Sequence, residues 1–199
     1  MTERDLEPER RPGRPRSARS RAAVLSAASA LMHEVGVRAM TTDEIASRSG
    51  TSKATIYKWW PNKYAVAVEA FLSEMSTESA DPDTGSAHED FRLALRGLIH
   101  FYASPSGRVF AQLVAEAQFD PEVAVELRDR LVDSRRRMVR AIWDRGVARG
   151  ELSPDVDPEV AIDLVFGPAM YRLVARHAPL DRNAADQIVD TAMRGLSAR

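Results

Sequence analysis

The chain has 199 residues, a formal net charge of −1, 44% hydrophobic residues and 29% charged residues, a balance that excludes an intrinsically disordered protein. It has no cysteine, which excludes disulfide scaffolds, cysteine-ligated zinc sites and cysteine nucleophiles and fits a reducing compartment. No apolar run approaches the ~18 residues of a transmembrane helix, and the N-terminus lacks the apolar core of a signal peptide.

Residues 1–16 are predicted to form a disordered basic arm, because they are polar and contain three prolines and a glycine. The charge of the chain is unevenly distributed. From Arg10 to Lys63 there are eleven basic and three acidic residues, a net charge of +8, so the rest of the chain carries −9. This asymmetry indicates a nucleic-acid partner for the N-terminal end. A basic tail that only interacts with solvent is the alternative that charge alone leaves open.

Two helices are predicted after the arm. Apolar residues recur at steps of three and four from Val24 to Val35, which predicts a helix that ends at Gly36. A second, short helix is predicted over residues 42–49. It follows a capping box, in which the Thr41 hydroxyl accepts a hydrogen bond from the Glu44 backbone and the Glu44 side chain reaches back.

A third helix is predicted over residues 53–59, with Ser52 as its cap. The two short helices and the three-residue turn between them form a helix-turn-helix pattern. In such a motif the first helix lies against the DNA backbone and the second presents its N-terminal residues to base edges in the major groove. The small core shared by the two helices is predicted to be Ile45, Ala46 and Ile56.

The remainder of the sequence predicts only helices and their connections. Asn62 can cap a fourth helix. Pro168 interrupts one helical pattern and is expected to kink it. No strand and no internal repeat is apparent. The predicted bounds are a loop at 76–90 and helices at 109–119, 120–150, 157–177 and 182–198.

Lys53 and Lys63 each occupy the first position of a predicted helix. A cation there opposes the positive end of the helix dipole, at a cost of a few tenths of a kcal/mol. A phosphate bound at the same end would reverse that cost, because free backbone N–H groups and the ammonium group both face it. The pair therefore favours phosphate binding over the chance exposure of two lysines.

Residues 17–75 resemble the DNA-binding region of the TetR family of bacterial transcription regulators. The resemblance is carried by the run from Gly36 to Ala46 and by the run from Gly50 to Lys63. The rest of the chain is similar to the family architecture of about nine helices. The stretch from Asp163 to Leu173 also resembles one C-terminal branch of the family.

The resemblance implies an all-α fold with a three-helix helix-turn-helix domain at 17–63 and a helical ligand-binding and dimerisation domain at 64–199. It implies a cytoplasmic homodimer, formed through the last two helices, that binds a palindromic operator in double-stranded DNA. Repression, with release by a small-molecule effector, is the default mode of action. No cofactor, metal or membrane partner is implied.

The resemblance also assigns DNA contacts by position. Thr41 or Thr42 lies where the family contacts phosphate, and Tyr57 and Lys63 match a phosphate-binding tyrosine and lysine. Trp59 stands where histidine is common, and its packing on DNA or over its own short helix stays open.

Arg14 and Arg16 lie in a segment that resembles minor-groove arms, with a generic basic tail as the alternative. The complete set of predicted DNA contacts is Arg14, Arg16, Thr41, Thr42, Ser52, Lys53, Thr55, Tyr57, Lys58, Trp59 and Lys63.

An effector site is expected among apolar and aromatic side chains of the C-terminal helices, although core packing is the commoner role of each. His100 precedes two aromatic residues and could set ligand polarity. The run Arg135–Arg137 is predicted to be a solvated helix face in which Asp133 pairs with Arg137. The candidate ligand residues are Phe71, His100, Phe101, Tyr102, Phe110, Met138, Trp143 and Met170.

Two other functions are disfavoured by the sequence, and a third stays open. A helical enzyme is disfavoured, because there is no glycine-rich phosphate loop, no HExxH motif and no nucleophile elbow, and the four histidines are scattered. A helical adaptor that has lost DNA binding is disfavoured by the presence of Lys53, Tyr57 and Lys63. An activator, rather than a repressor under effector control, remains open.

Overall fold

The computed structural model describes residues 14–75 and 81–198, and no strand forms within these ranges. The predicted all-α fold is confirmed. The nine helices in this part of the chain are α1 Arg14–Glu34, α2 Thr42–Ser49, α3 Lys53–Trp59, α4 Lys63–Met75, α5 Ala87–Ala103, α6 Pro105–Glu116, α7, α8 Pro158–Ala175 and α9 Arg182–Leu196. Helix α7 comprises Pro121–Leu127, a π-helical segment Arg128–Val132 and Asp133–Ala148.

Helices α2 and α3 have the bounds that the sequence predicts, because local chemistry fixes their ends. The Thr41 hydroxyl accepts from the Glu44 backbone N–H at 3.2 Å, and the Glu44 carboxylate accepts from the Thr41 backbone N–H at 3.1 Å. Gly50 ends α2 in the left-handed conformation at φ 64°, which favours glycine. The Ser52 hydroxyl caps α3 by accepting from the Thr55 backbone N–H at 3.3 Å.

The N-terminal arm differs from the prediction. Helix α1 begins at Arg14, so the backbones of Arg14 and Arg16 are helical rather than part of a disordered arm. Pro15 does not prevent this, because backbone N–H groups in the first turn of a helix have no intrahelical acceptor and proline there loses no bond. Residues 1–13 of the predicted arm lie outside the described residues.

Two further helices begin earlier than predicted. Helix α5 begins at Ala87 because the Ser86 hydroxyl caps it, so the connection before it is shorter than the predicted loop at 76–90, of which residues 76–80 lie outside the described ranges. Helix α6 begins at Pro105, after the Ser104 cap, rather than at residue 109. In both cases a local capping residue extends the helix beyond its apolar pattern.

The helix-turn-helix domain packs around α1, which contacts both α2 and α4. Ile45 and Ile56 are fully buried and Ala46 is half-buried, which confirms the predicted small core. Helix α4 is buried on several sides and not on one face alone, because it also contacts α6 and α7. In the C-terminal domain α5 is central and packs against α6, α7, α8 and α9.

Trp60 holds α3 against the rest of its domain. Its side chain is buried, its indole N–H donates to Glu69 Oε2 at 2.9 Å, and the Arg21 guanidinium lies 5.3 Å from the ring centroid. Arg21 also pairs with Glu69 at 2.7 Å. Burial raises the pKa of Glu69, but the hydrogen bonds from Trp60 and Arg21 outweigh it and hold the pKa below its ordinary value.

Candidate nucleic-acid interface

The N-terminus of α2 and the outer face of α3 meet at one exposed surface. The Tyr57 side chain is 52% exposed, and its hydroxyl donates to Thr42 Oγ1 across 3.5 Å. Thr42 is the first residue of α2, where backbone N–H groups without intrahelical acceptors make a site for an anion. Tyr57 and Thr42 are therefore brought together where one DNA phosphate could contact both.

The remaining predicted hydroxyl groups also serve local structure. The Thr41 hydroxyl donates to Glu44 Oε2 at 2.8 Å within the capping box. Ser52 and Thr55 share a hydrogen bond of 2.9 Å between their hydroxyl groups. The Thr41 hydroxyl and one hydroxyl of the Ser52–Thr55 pair therefore donate within the protein, so fewer hydroxyl protons are available to phosphate than the sequence suggests.

The two predicted phosphate-binding lysines have partners in the protein. Lys53 forms an ion pair with Asp43, in the first turn of α2. The Lys63 ammonium donates to the backbone carbonyl of Arg38 at 2.7 Å and to that of Met40 at 3.0 Å. Lys63 therefore closes the loop between α1 and α2, and an ammonium with three donors retains one for another acceptor.

Lys58 and Trp59 are placed differently. Lys58 is exposed and has no hydrogen bond or ion pair to any other residue that the structure describes. Trp59 is half-buried and packs edge-to-face on Trp60, with ring centroids 5.5 Å apart. This contact supports the packing alternative for Trp59.

Two family profiles match the chain. One, described as bacterial regulatory proteins of the tetR family, matches residues 24–70, and the other, described as a tetracyclin repressor-like C-terminal domain, matches residues 81–192. The chain belongs to the TetR family of transcriptional regulators. The family resemblance that the sequence indicates is confirmed, and with it a DNA-binding, helix-turn-helix regulator of transcription.

Individual relatives of this TetR-family regulator agree. It is 39% identical over 186 residues to the HTH-type transcriptional regulator YdeS of Bacillus subtilis (strain 168), covering 94% of both chains. It is 27% identical over 175 residues to the DNA-binding transcriptional repressor TetR of Mycobacteroides abscessus, covering 86% of this chain and 90% of that one. The crystal structure of the TetR family transcription regulator SCO0332 matches with a TM-score of 0.76 and 32% identity, covering 88% of this chain and 97% of that one.

In the regulator's C-terminal domain, four predicted ligand residues form one aromatic cluster. Phe71 stacks on Phe110 at 5.9 Å and Tyr102 stacks on Phe110 at 5.7 Å between ring centroids, and Phe101 lies within 6.2 Å of each of the other three. Phe71 is fully buried. The cluster joins α4, from the first half of the chain, to α5 and α6.

The other four candidates are not part of this cluster. Trp143 is buried, Met138 is half-buried, and the half-buried Met170 lies beside Tyr102, with 4.0 Å between the Tyr102 hydroxyl and Met170 Sδ. His100 is exposed, unlike its aromatic neighbours Phe101 and Tyr102, because successive residues point to different sides of a helix.

The expectation for the Arg135–Arg137 run is wrong in two respects. Arg136 pairs with Glu159 and Asp163 of α8. Arg135 is half-buried. Its pKa is below the ordinary value, because the effect of burial exceeds the opposing interaction with Tyr102. Only Arg137 is exposed, and no ion pair joins it to Asp133 in the described structure.

Hydrogen bonds that join α6 to the loop before α2 and to the start of α4 are contacts that sequence reasoning missed. The Gln112 carbonyl Oε1 accepts from the Val37 backbone N–H at 2.8 Å, and the Tyr64 hydroxyl donates to Glu116 Oε2 at 2.9 Å. Burial, followed by this bond to Glu116, raises the pKa of Tyr64. These partners are 52 to 75 residues apart in sequence, so no local pattern could have paired them.

Within residues 14–75 and 81–198 no group of three or more histidine, aspartate or glutamate side chains is placed to hold a metal ion. Over the same ranges none of the helices combines the length and hydrophobicity needed to cross a membrane.

Proposed function

We propose that this protein is a repressor that binds a palindromic operator as a homodimer in the cytoplasm and is released by a small-molecule effector. The observation that carries the DNA contact is the exposed Tyr57 hydroxyl beside the N-terminus of α2. The exposed Lys58 follows it on the same helix, in a region with a net charge of +8. A relative described as a DNA-binding repressor supports the direction of regulation.

An apolar stripe on α8 supports the dimer. Val160, Leu164, Tyr171 and Val174 are between 50% and 64% exposed, and their spacing puts them on one side of the helix. Large apolar side chains grouped in this way on a surface mark an interaction site. A second copy of the chain is the partner proposed, because two recognition helices one helical turn apart read a palindromic site.

The contacts between the domains support control by an effector. Gly36 has a left-handed backbone at φ 89°, and a Cβ atom there would lie 2.7 Å from Gln112 Oε1. Gln112 therefore docks directly on the turn that precedes α2. An effector that moves α6 would move this turn, and the effector would then favour a state with different DNA affinity.

Fluorescence anisotropy with labelled operator DNA at several salt concentrations tests the assignment of the DNA contacts. Tyr57→Phe and Lys58→Gln are each expected to weaken binding to all sequences. Loss of the Lys58 charge should also reduce the slope of log affinity against log salt by about 0.9, whereas Tyr57→Phe removes no charge and should leave the slope unchanged. Arg137→Gln, at an exposed arginine of α7, is the matched control. Unchanged affinity in both test variants would contradict the assignment.

A further inference from the structure

A cleft of about 260 Å³ lies between the end of α5, the first half of α6 and the end of α8. Arginine and apolar side chains dominate its walls. The lining residues are Tyr102, Arg108, Ala111, Arg172, Leu173, Arg176, Ala178 and Leu180. The cleft is separate from the apolar stripe on α8, because Arg172 is about 100° around the helix from Tyr171.

The three arginines of the cleft have no carboxylate partner among the described residues, whereas most other arginines of this domain have one. Arg136, for example, pairs with two carboxylates of α8. In the part of the chain that the structure describes, Arg108 and Arg176 have no carboxylate partner. Arg172 donates to the Pro179 carbonyl at 2.9 Å. Three positive charges around one cleft, without anions to balance them, favour an anionic ligand.

Tyr102 adds both a hydrogen-bond donor and an apolar surface. Tyr102 is only 5% exposed. Its hydroxyl donates to Met170 Sδ at 4.0 Å, and a thioether sulfur is a weak acceptor. Burial raises the pKa of Tyr102, so its hydroxyl stays protonated at neutral pH. Its ring stacks on Phe110, which places the aromatic cluster behind the cleft.

The volume limits the size of the ligand. A cavity of about 150 Å³ holds one benzene molecule, so 260 Å³ accommodates one ring or a short chain together with an acidic group. A bare inorganic anion would leave the apolar lining unused. We propose that this cleft binds a small organic acid, with its carboxylate on the arginines and its hydrocarbon part against Leu173, Leu180 and Tyr102.

The position of the cleft links this proposal to the proposed function, on which its regulatory part rests. Ala111 lines the cleft, and the next residue on α6, Gln112, accepts from the Val37 backbone N–H ahead of α2. An acid that shifts α6 therefore acts on the helix-turn-helix domain through one residue. The bound acid is the effector in this account.

Isothermal titration of the full chain without DNA tests the site. Sodium benzoate is expected to bind, and benzamide, its neutral analogue, and inorganic phosphate are expected to bind at least tenfold more weakly. Arg108→Gln, which removes a side chain without other ion pairs, should weaken benzoate binding by about ten- to a hundredfold. Tyr102→Phe should weaken it less, and the control Arg137→Gln should leave it unchanged.

Equal binding of benzamide would overturn the role of charge, and equal binding of phosphate would overturn the role of the apolar lining. Unchanged binding in Arg108→Gln, with circular dichroism confirming a folded protein, would place the ligand elsewhere. Failure of both benzoate and hexanoate to bind at millimolar concentration would overturn the site itself.

The regulatory part is tested separately by adding benzoate to the protein–operator complex. Release of DNA by benzoate supports the effector role, and benzoate binding without release contradicts that role while the site stands. Absence of any DNA binding would contradict the proposed function and not the cleft, because the titration contains no DNA.

Discussion

At the scale of single residues, Lys63 has a structural role in addition to the phosphate contact that the family resemblance predicts. The resemblance assigns it to phosphate, and the structure shows its ammonium on the carbonyl groups of Arg38 and Met40. A half-buried lysine that bonds two backbone carbonyls supports the loop before α2 whether or not DNA is bound. Its replacement therefore affects stability as well as DNA affinity.

Lys63→Met is expected to lower the free energy of unfolding by about 1–3 kcal/mol, because two carbonyl groups lose their donor. Urea denaturation followed by circular dichroism measures this. Lys58→Met, at an exposed lysine, should change stability by less than about 0.5 kcal/mol. Equal stability of the two variants would contradict the structural role of Lys63.

Glu69 gives a pH-dependent prediction. Burial opposes ionisation, but bonds from Trp60 and Arg21 hold the pKa below the ordinary 4.5. A group whose pKa is lower in the folded state stabilises the protein above its unfolded pKa, and this stabilisation is lost as the pH falls through the folded value. Glu69→Gln should therefore cost about 1–2 kcal/mol at pH 7, and the difference from wild type should shrink below pH 4.5.

Unfolding curves between neutral and acidic pH measure the effect. Glu34→Gln is the control, because Glu34 forms an exposed pair with Arg48, and exposed pairs contribute little. A difference between Glu69→Gln and wild type that does not change with pH would contradict the assignment.

At the scale of the elements, the sequence predicts a helix well where its end signals are local. The Thr41–Glu44 capping box fixes the start of α2, and the Ser52 cap fixes the start of α3. In both cases the residues that bond to each other are close together in the sequence. The start of α6 is not predicted, because its apolar pattern begins at Val109, five residues after the Ser104 cap. The π-helical segment Arg128–Val132 has no sequence signal that we recognise.

The junction between α5 and α6 is sensitive to one glycine. A Cβ atom at Gly107 would lie 2.4 Å from the Tyr102 carbonyl oxygen and 2.6 Å from that of Phe101. Backbone atoms cannot yield as the end of a flexible side chain can. Gly107→Ala is therefore expected to lower stability by about 1–3 kcal/mol and to weaken benzoate binding, since Tyr102 lines the cleft.

Gly97→Ala is the matched control for this prediction. Gly97 lies within α5, where a Cβ atom would meet nothing within 4 Å. Alanine should there increase stability by about 0.5–1 kcal/mol, because it loses less backbone entropy than glycine in a helix. Thermal melting of both variants measures the difference, and a stable Gly107→Ala protein would show that the junction can relax.

At the scale of the whole molecule, the sequence predicted the order and class of the elements but not how the domains meet. Periodicity identifies which side of a helix is buried, and it does not identify the partner. Gln112 and Val37 are 75 residues apart, and the aromatic cluster of Phe71, Phe101 and Phe110 draws on three helices. Such contacts follow from tertiary packing alone.

The dimer prediction also belongs to the whole molecule. Leu164→Glu combined with Tyr171→Glu places two charges in the apolar stripe on α8, where desolvation of a charge opposes association. The variant should elute as a monomer in size-exclusion chromatography with light scattering. Val125→Glu, at an apolar residue of α7 that is 44% exposed, should remain dimeric. A dimeric double variant would contradict the interface.

The central claim is that exposed groups of α2 and α3 bind double-stranded DNA and that two copies of the chain read one site. Selection of bound DNA from a random pool at a fixed salt concentration tests this claim most directly. We expect enrichment of a palindromic motif with half-sites about one helical turn apart or slightly more. No enriched sequence, or a motif without two-fold symmetry, would contradict it.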